Sequence, residues 1–207
     1  MEATNQLSFT TPGQNLSLKR KQSLFHPGDR SQSIFRVNKG LIRITKMTPE
    51  GKIITVRHLE PGDFFGEEVL SGEARTDLAE ALTSAQIEAF DPALINGSDL
   101  MMITRSLSAQ MKRLIDYEYH LQTGDLRERV ARYLLLLAAT PLGIENEKGQ
   151  MMVSATHEFL AEGTASTRES VSKIVSDFRM EGLIESGYRN IILLDKDELE
   201  MIAEGLE

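Results

Sequence analysis

The chain has 207 residues, 41% of them hydrophobic and 26% charged, with no Cys, no Trp and a formal net charge of -8. That length and composition fit one large or two small globular domains with a sizeable core, and disfavour repeat arrays, collagen-like chains and disorder. The absence of Cys removes disulfide frameworks, thiolate zinc sites, cysteine-ligated iron–sulfur clusters and cysteine nucleophiles.

Met1 to Asn15 is polar with isolated apolar residues, and lacks the basic start and apolar centre of a signal peptide. The longest apolar run, Leu134 to Ala139, falls far short of the roughly 20 residues of a membrane span. A cytoplasmic protein with no membrane partner is expected. The charge is segregated: residues 1–57 carry a balance of +7, residues 58–99 one of -9, residues 151–190 one of -2 and residues 191–207 one of -5. The acidic total therefore does not exclude nucleic acid, because a binding face needs only a few directed Lys and Arg side chains.

From Lys19 to about Ala89 short β-type runs recur at Ser33–Val37, Leu41–Thr45, Ile53–Leu59 and Leu78–Ile87. Pro27-Gly28-Asp29, Asn38-Lys39-Gly40, Pro49-Glu50-Gly51, Pro61-Gly62-Asp63 and Ser71-Gly72 punctuate them, the pattern of a small β barrel or roll. From about Ser98 the period becomes helical, with Leu107, Leu114 and Leu121 spaced by seven and Met111 and Ile115 on the same face. Glu118 and Asp125 fall on the other seam position. Two readings stay open, a helix lying on the barrel and a two-stranded coiled coil between subunits. The polar seam residues tip the balance towards dimerisation through Leu107, Met111, Leu114, Glu118 and Leu121.

Thr123-Gly124-Asp125 interrupts this helix, and a second amphipathic helix follows with Leu126, Val130, Leu134 and Leu137, ending before Pro141. Residues 149–194 read as a strand at Met151–Val153, helices over about Thr156–Gly163 and Thr167–Glu181, and a hairpin with arms Leu183–Glu185 and Ile191–Leu194. Two short helices and a β wing make a winged helix-turn-helix. Its second helix carries Val171, Ile174, Val175 and Phe178 on one face, and displays Arg168, Glu169, Ser172 and Lys173 near its N-terminus. Arg and Lys can donate to guanine, Glu can accept from cytosine N4, and Ser can meet a base edge or a phosphate. Ser166 and Thr167 can cap the helix and reach the DNA backbone. The competing reading is a solvated face with a Glu169–Lys173 ion pair.

Residues Ala155 to Ile184, ATHEFLAEGTASTRESVSKIVSDFRMEGLI, resemble the helix-turn-helix of the cyclic AMP receptor protein and fumarate–nitrate reductase regulator superfamily, with the Arg-Glu-Ser-Val-Ser-Lys run as its marker. The motifs Phe25-His26-Pro27-Gly28-Asp29, Val37-Asn38-Lys39-Gly40, Pro61 to Glu67 and Arg75-Thr76 resemble the family's β roll in order and spacing. The resemblance covers roughly residues 20–200. It implies an α+β chain with a double-stranded β-helix (jelly-roll) domain like cyclic-nucleotide-binding domains over residues 1–97, a long dimerisation helix over 98–123 and a winged helix-turn-helix over 124–207.

By the same resemblance Glu169, Ser172 and Lys173 read inner bases of each half-site, and Arg168 makes a further base or phosphate contact. Lys173 stands where Arg is usual, which loses bidentate geometry onto guanine. Ala165 takes the place of the customary turn glycine, with Gly163 two residues earlier. Gly66, Glu67, Arg75 and Thr76 resemble the cassette in which Glu holds a ribose hydroxyl and Arg and Thr hold the phosphate. The intervening loop is shorter than in nucleotide-responsive members and acidic, with Glu68, Glu73, Asp77 and Glu80. Leu114 and Ile115 fall where hydroxyl residues would meet adenine, so its polar edge would be left unpaired.

Cyclic AMP is accordingly disfavoured and no cofactor is expected; the alternative is that Arg75 pairs with a neighbouring carboxylate such as Glu67 or Glu73. Some superfamily members are controlled by abundance alone, others by 2-oxoglutarate or haem. None of His26, His58, His120 and His157 sits in a motif, and His157 reads as a surface or phosphate-facing residue. No HxH, HExxH, GxSxG or P-loop pattern occurs, so catalytic signals are missing. The expected protein is a homodimeric transcription regulator, not an enzyme, that binds a near-palindromic double-stranded DNA site and activates by contacting RNA polymerase. A small-ligand sensor acting through protein partners, or a cyclic-nucleotide-responsive regulator, is the alternative.

Overall fold

The computed structural model describes residues 9–30 and 32–206, so the first part of the polar start, Met1–Ser8, lies outside the described residues. The fold divides into two compact units, Met1–Lys46 with Val56–Ile115 and Met47–Thr55 with Asp116–Glu207.

In the first unit, β1 (Gly13–Leu18), β2 (Ser23–Phe25), β3 (Ile34–Lys39), β4 (Ile42–Met47), β5 (Ile53–Leu59), β6 (Phe64–Phe65), β7 (Leu78–Ala81) and β8 (Ala85–Phe90) build the roll. They form two four-stranded sheets, ordered β1-β8-β3-β6 and β2-β7-β4-β5. Phe35, Val37, Ile42, Ile44, Leu59, Phe65 and Ile87 fill the core between them. Outward positions carry cross-strand ion pairs that follow the register: Arg36 faces Glu88 at 2.7 Å and Arg43 faces Glu80 at 3.2 Å. Two features differ from the sequence reading. Strand β1, whose residues are mostly polar, precedes the expected start at Lys19, and the run Leu78–Ile87 is two antiparallel-sheet strands, β7 and β8, parted at Leu82-Thr83-Ser84.

Helix α1 (Gly97–Thr123) buries Ile103 against Ile34, Phe64 and Phe90, and Leu107 packs on the same cluster. Leu107 is half-buried there, so part of its side chain serves the roll. The face beyond it stays open, with Met111 57% and Ile115 58% exposed. At the start of α1 the buried Asp99 carboxylate accepts hydrogen bonds from the backbone N–H and hydroxyl groups of both Thr10 and Thr11, and from Asn96 Nδ2. This clamp ties the segment leading into β1 to the helix. Burial would raise the Asp99 pKa, but the Thr11 and Thr10 hydrogen bonds outweigh it and hold the carboxyl below its ordinary value.

The second unit holds α2 (Leu126–Ala138), β9 (Gly143–Glu145), β10 (Met151–Val153), α3 (His157–Gly163), α4 (Arg168–Met180), β11 (Ile184–Gly187), β12 (Asn190–Leu193) and α5 (Lys196–Glu204). The sheet order is β11-β12-β10-β9. Side chains of Asp125, Thr156 and Thr167 cap α2, α3 and α4 by accepting the N–H of Glu128, Phe159 and Ser170. Strand β9 and helix α5 were not expected from sequence; α5 buries Leu199, Ile202 and Ala203, and Arg132 of α2 donates to the Ala203 carbonyl. Arg132 and Arg129 also donate to the His120, Leu121 and Gly124 carbonyls, closing the end of α1.

The turn between α3 and α4 divides its demands between two residues. A Cβ on Gly163 would lie 2.0 Å from Tyr133 Cζ, so only glycine admits this approach, and Tyr117 donates its hydroxyl to the Gly163 carbonyl. Burial pushes the Tyr117 phenol up to about 12, so it remains a donor across the neutral range. Ala165 itself takes the left-handed conformation, φ +51°. Alanine thus occupies a left-handed position where a glycine was the expected residue.

Gly163→Ala should therefore cost about 2–3 kcal/mol through overpacking, whereas Ala165→Gly should be neutral or stabilise by up to about 1 kcal/mol; chemical denaturation of both variants checks the order. Asp99→Ala should cost roughly 3 kcal/mol by orphaning its donors. Because the folded pKa of Asp99 is depressed, its contribution is present above the unfolded pKa and is lost as pH falls through the folded one. Asp99→Asn should flatten the acid limb of the stability curve in a pH series of melts.

Candidate nucleic-acid interface and effector cassette

Helix α4 buries Val171, Val175 and Phe178. Glu169 and Lys173 are exposed on the opposite side and Arg168 is exposed at the first position of the helix; none of them forms an ion pair among the described residues, so the Glu169–Lys173 pair of the solvated-face reading is not made. Thr167 caps the helix and donates its hydroxyl to Ser170 Oγ at 2.9 Å. Ser166, half-buried, donates its N–H to the Ala161 carbonyl. Ser172 is half-buried and lies 2.9 Å from His157 Nδ1. His157, half-buried, is thus engaged with α4 through one ring nitrogen. Burial, and then the Arg168 charge, hold its pKa below the usual histidine value.

Two further contacts orient this face. Arg127 of α2 makes a bidentate pair with Glu181, at 3.1 and 2.7 Å, and its guanidinium lies 4.8 Å from the Phe178 ring centre. The far end of α4 is thereby fixed to α2 by a geometry lysine could not reproduce. In the wing, the two-residue turn between Gly187 and Asn190 carries Tyr188, 85% exposed, and Arg189 at φ +61°, with the guanidinium 5.0 Å from the tyrosine ring. Tyr188 and Arg189 lie between the two expected hairpin arms, and the sequence signal for them is an aromatic beside a cation at the hairpin tip.

In the roll, Gly66 adopts φ +83° and a Cβ there would come within 2.9 Å of Arg75 Nη1. Arg75 is 2% exposed. Its guanidinium donates to Glu68 Oε2 at 2.7 Å and to the Ser33 carbonyl at 2.6 Å, and lies 4.6 Å from the Phe25 ring centre. The partner is Glu68, so the naming of Glu67 or Glu73 is corrected. Glu67 binds Arg57 at 2.7 Å, Arg57 donates to Gln110 Oε1 at 3.1 Å, and Gln110 on α1 donates to the Phe64 carbonyl at 2.7 Å. Thr76 is exposed and donates to Asp77. Leu114 is half-buried and Ile115 exposed, so neither offers a polar partner to a base. On the rest of α1, Leu121 is half-buried and the exposed Glu118 accepts from Gln122.

His58 is half-buried, and desolvation, with the Arg43 charge, lowers its pKa to about 4. No group of three or more His, Asp or Glu positioned to hold a metal occurs among the described residues. No helix there is long and apolar enough to cross a membrane.

Comparison with known proteins agrees with this geometry. Residues 15–95 match the cyclic nucleotide-binding domain family and residues 128–202 the Crp-like helix-turn-helix domain family. The chain is 46% identical over 181 residues to the transcriptional regulator LdrP of Thermus thermophilus, covering 87% of this chain and 92% of that protein. It is 40% identical over 182 residues to the transcriptional regulator SdrP of Thermus thermophilus, covering 86% and 87%. A crystal structure of a CRP-family transcriptional regulator from the same species superposes with a TM-score of 0.88 at 44% identity, over 91% of this chain and 96% of that one. A β roll with the cassette fold, followed by a capped recognition helix and a wing, places the chain in the CRP family: it is a DNA-binding transcriptional regulator, not an enzyme.

Proposed function

We propose that the protein is a homodimeric, cytoplasmic transcription activator that reads a near-palindromic DNA site without needing cyclic AMP. The observation that carries the DNA reading is the set of Arg168, Glu169 and Lys173, exposed on the first turns of α4 with no ion pair among the described residues, while Val171, Val175 and Phe178 are buried. Arg168 and Lys173 donate to guanine edges or phosphates, and Glu169 accepts from cytosine N4. Ser166 and Thr167 approach the DNA backbone at the helix start, and Tyr188 and Arg189 on the wing add a backbone contact outside the major groove.

Two copies joined along the open face of α1, through Met111, Leu114, Glu118 and Leu121 together with Ile115, present two recognition helices to major grooves about 34 Å apart. In this assembly residues 1–97 act as the sensor-like roll, 98–123 as the dimerisation helix and 124–207 as the DNA-binding part. The roll of the DNA-bound dimer is the surface offered to RNA polymerase, which makes the protein an activator.

Control without a nucleotide rests on Arg75. The cation that would hold a phosphate is already satisfied by Glu68 and the Ser33 carbonyl, and Glu67, the would-be ribose partner, is held by Arg57. A buried ion pair of this kind is costly to break on one side.

In a selection from a mixed DNA pool the wild type should enrich a two-fold symmetric site, and Glu169→Ala should lose about 1–3 kcal/mol of preference at one base pair per half-site. If no symmetric site is enriched and the mutant leaves base preference unchanged, the protein acts through protein partners instead. In thermal melts millimolar cyclic AMP should leave the wild type unmoved, while Glu68→Ala should destabilise by roughly 3 kcal/mol. A rise of several degrees with cyclic AMP, abolished by Arg75→Ala, would overturn the effector-free reading.

A further inference from the structure

We infer that His157 is a positioning residue for base recognition, which fixes the Ser172 hydroxyl as a hydrogen-bond acceptor and so selects bases that present an exocyclic amine in the major groove. This rests on the DNA reading proposed for α4. His157 opens α3 and Ser172 lies on the displayed side of α4, beside Lys173 and one turn beyond Arg168. The two side chains meet at 2.9 Å, Nδ1 to Oγ. A serine hydroxyl has one proton and two lone pairs, and a free rotor lets it serve as donor or acceptor.

Here the rotor is constrained. Ser172 Oγ has no other hydrogen-bond partner among the described residues, so Nδ1 is the acceptor within reach of its proton. His157 supplies a lone pair there when the ring is neutral with its N–H on Nε2, which has no protein partner among the described residues and is left to water. Burial and the Arg168 charge both favour a neutral ring; of its two tautomers, the one proposed is that in which Nδ1 accepts from Ser172. With its proton committed to His157, Ser172 turns only lone pairs towards DNA. Adenine N6 and cytosine N4 offer it a donor, whereas guanine O6 and thymine O4 bring lone pair against lone pair. An imidazole that reached a phosphate instead would add affinity and carry no sequence information.

The test is a DNA-pool selection at two salt concentrations with the full-length wild type, His157→Leu, Ser172→Ala, the double variant and His157→Asn, whose Oδ1 keeps an acceptor near the place of Nδ1. The wild type should prefer adenine or cytosine over guanine and thymine by roughly 3- to 10-fold at one position per half-site, the range of a single neutral hydrogen bond. His157→Leu should admit guanine or thymine at that position and leave the other positions alone. Ser172→Ala should remove the preference, the double variant should match Ser172→Ala, and His157→Asn should retain the wild-type pattern.

The inference is overturned if His157→Leu weakens all sequences equally with a shallower salt dependence, which marks a phosphate contact. It is also overturned if His157→Leu leaves that position unchanged, or alters it equally when Ser172 is already alanine. A wild type that enriches no symmetric site removes the DNA reading itself, an outcome distinct from a site enriched without amine preference. A loss of thermal stability in His157→Leu with no change in base preference assigns the pair a packing role only.

Discussion

A short helix can offer its polar side to DNA only if its other side is held without play, and in this protein that restraint comes from α2. Val130, Ala131, Leu134 and Leu137 are buried along it, Tyr133 occupies the space left open by Gly163, and Arg127 grips both Glu181 and the Phe178 ring. Its other arginines close the end of α1 and fasten α5. The exposed groups on α4 therefore sit on a frame whose apolar contacts and charge-assisted hydrogen bonds converge on one element. Pre-organisation of this kind lowers the ordering cost of recognition.

The roll shows the same economy with opposite effect. Its cassette has the glycine turn and the arginine of an anion site, yet the anionic partner of that arginine is the chain's own Glu68. Arg57 carries the connection onward through Gln110 to the Phe64 carbonyl, so the cassette and α1 share one hydrogen-bonded path. Asp63, Glu67, Glu68, Glu80 and Glu88, half of the acidic residues of 58–99, are engaged in internal pairs with arginines.

Much of this is legible in the sequence, for physical reasons. Caps at Asp125, Thr156 and Thr167 work through local backbone geometry, so spacing alone reveals them. The apolar stripe Val171, Val175, Phe178 has helical period, and the Pro-Gly turns of the roll require particular dihedral angles. What escaped was non-local. Strand β1 is polar because one edge of a sheet faces solvent, and α5 hid among charges although Asp195 caps it and Leu199, Ile202 and Ala203 have core spacing. Leu107 has seam spacing, and its packing on an aromatic cluster of the roll depends on neighbours distant in the chain. Whether Arg75 pairs with Glu67, Glu68 or Glu73 depends on side-chain reach across a turn, and the meeting of His157 with Ser172 depends on how two helices cross. Neither is written in a one-dimensional pattern.

The Arg75–Glu68 pair also bears on how the protein stands among the metabolites of a cell. A carboxylate tethered seven residues from its cation competes at an effective concentration on the order of millimolar or higher, without paying the entropy of capture. A free phosphate ester or nucleotide must displace that carboxylate, and also find room where Phe25 and Phe35 already flank the guanidinium. For such an anion, entry into the cassette is an exchange against an internal partner and not the filling of a vacant cation site.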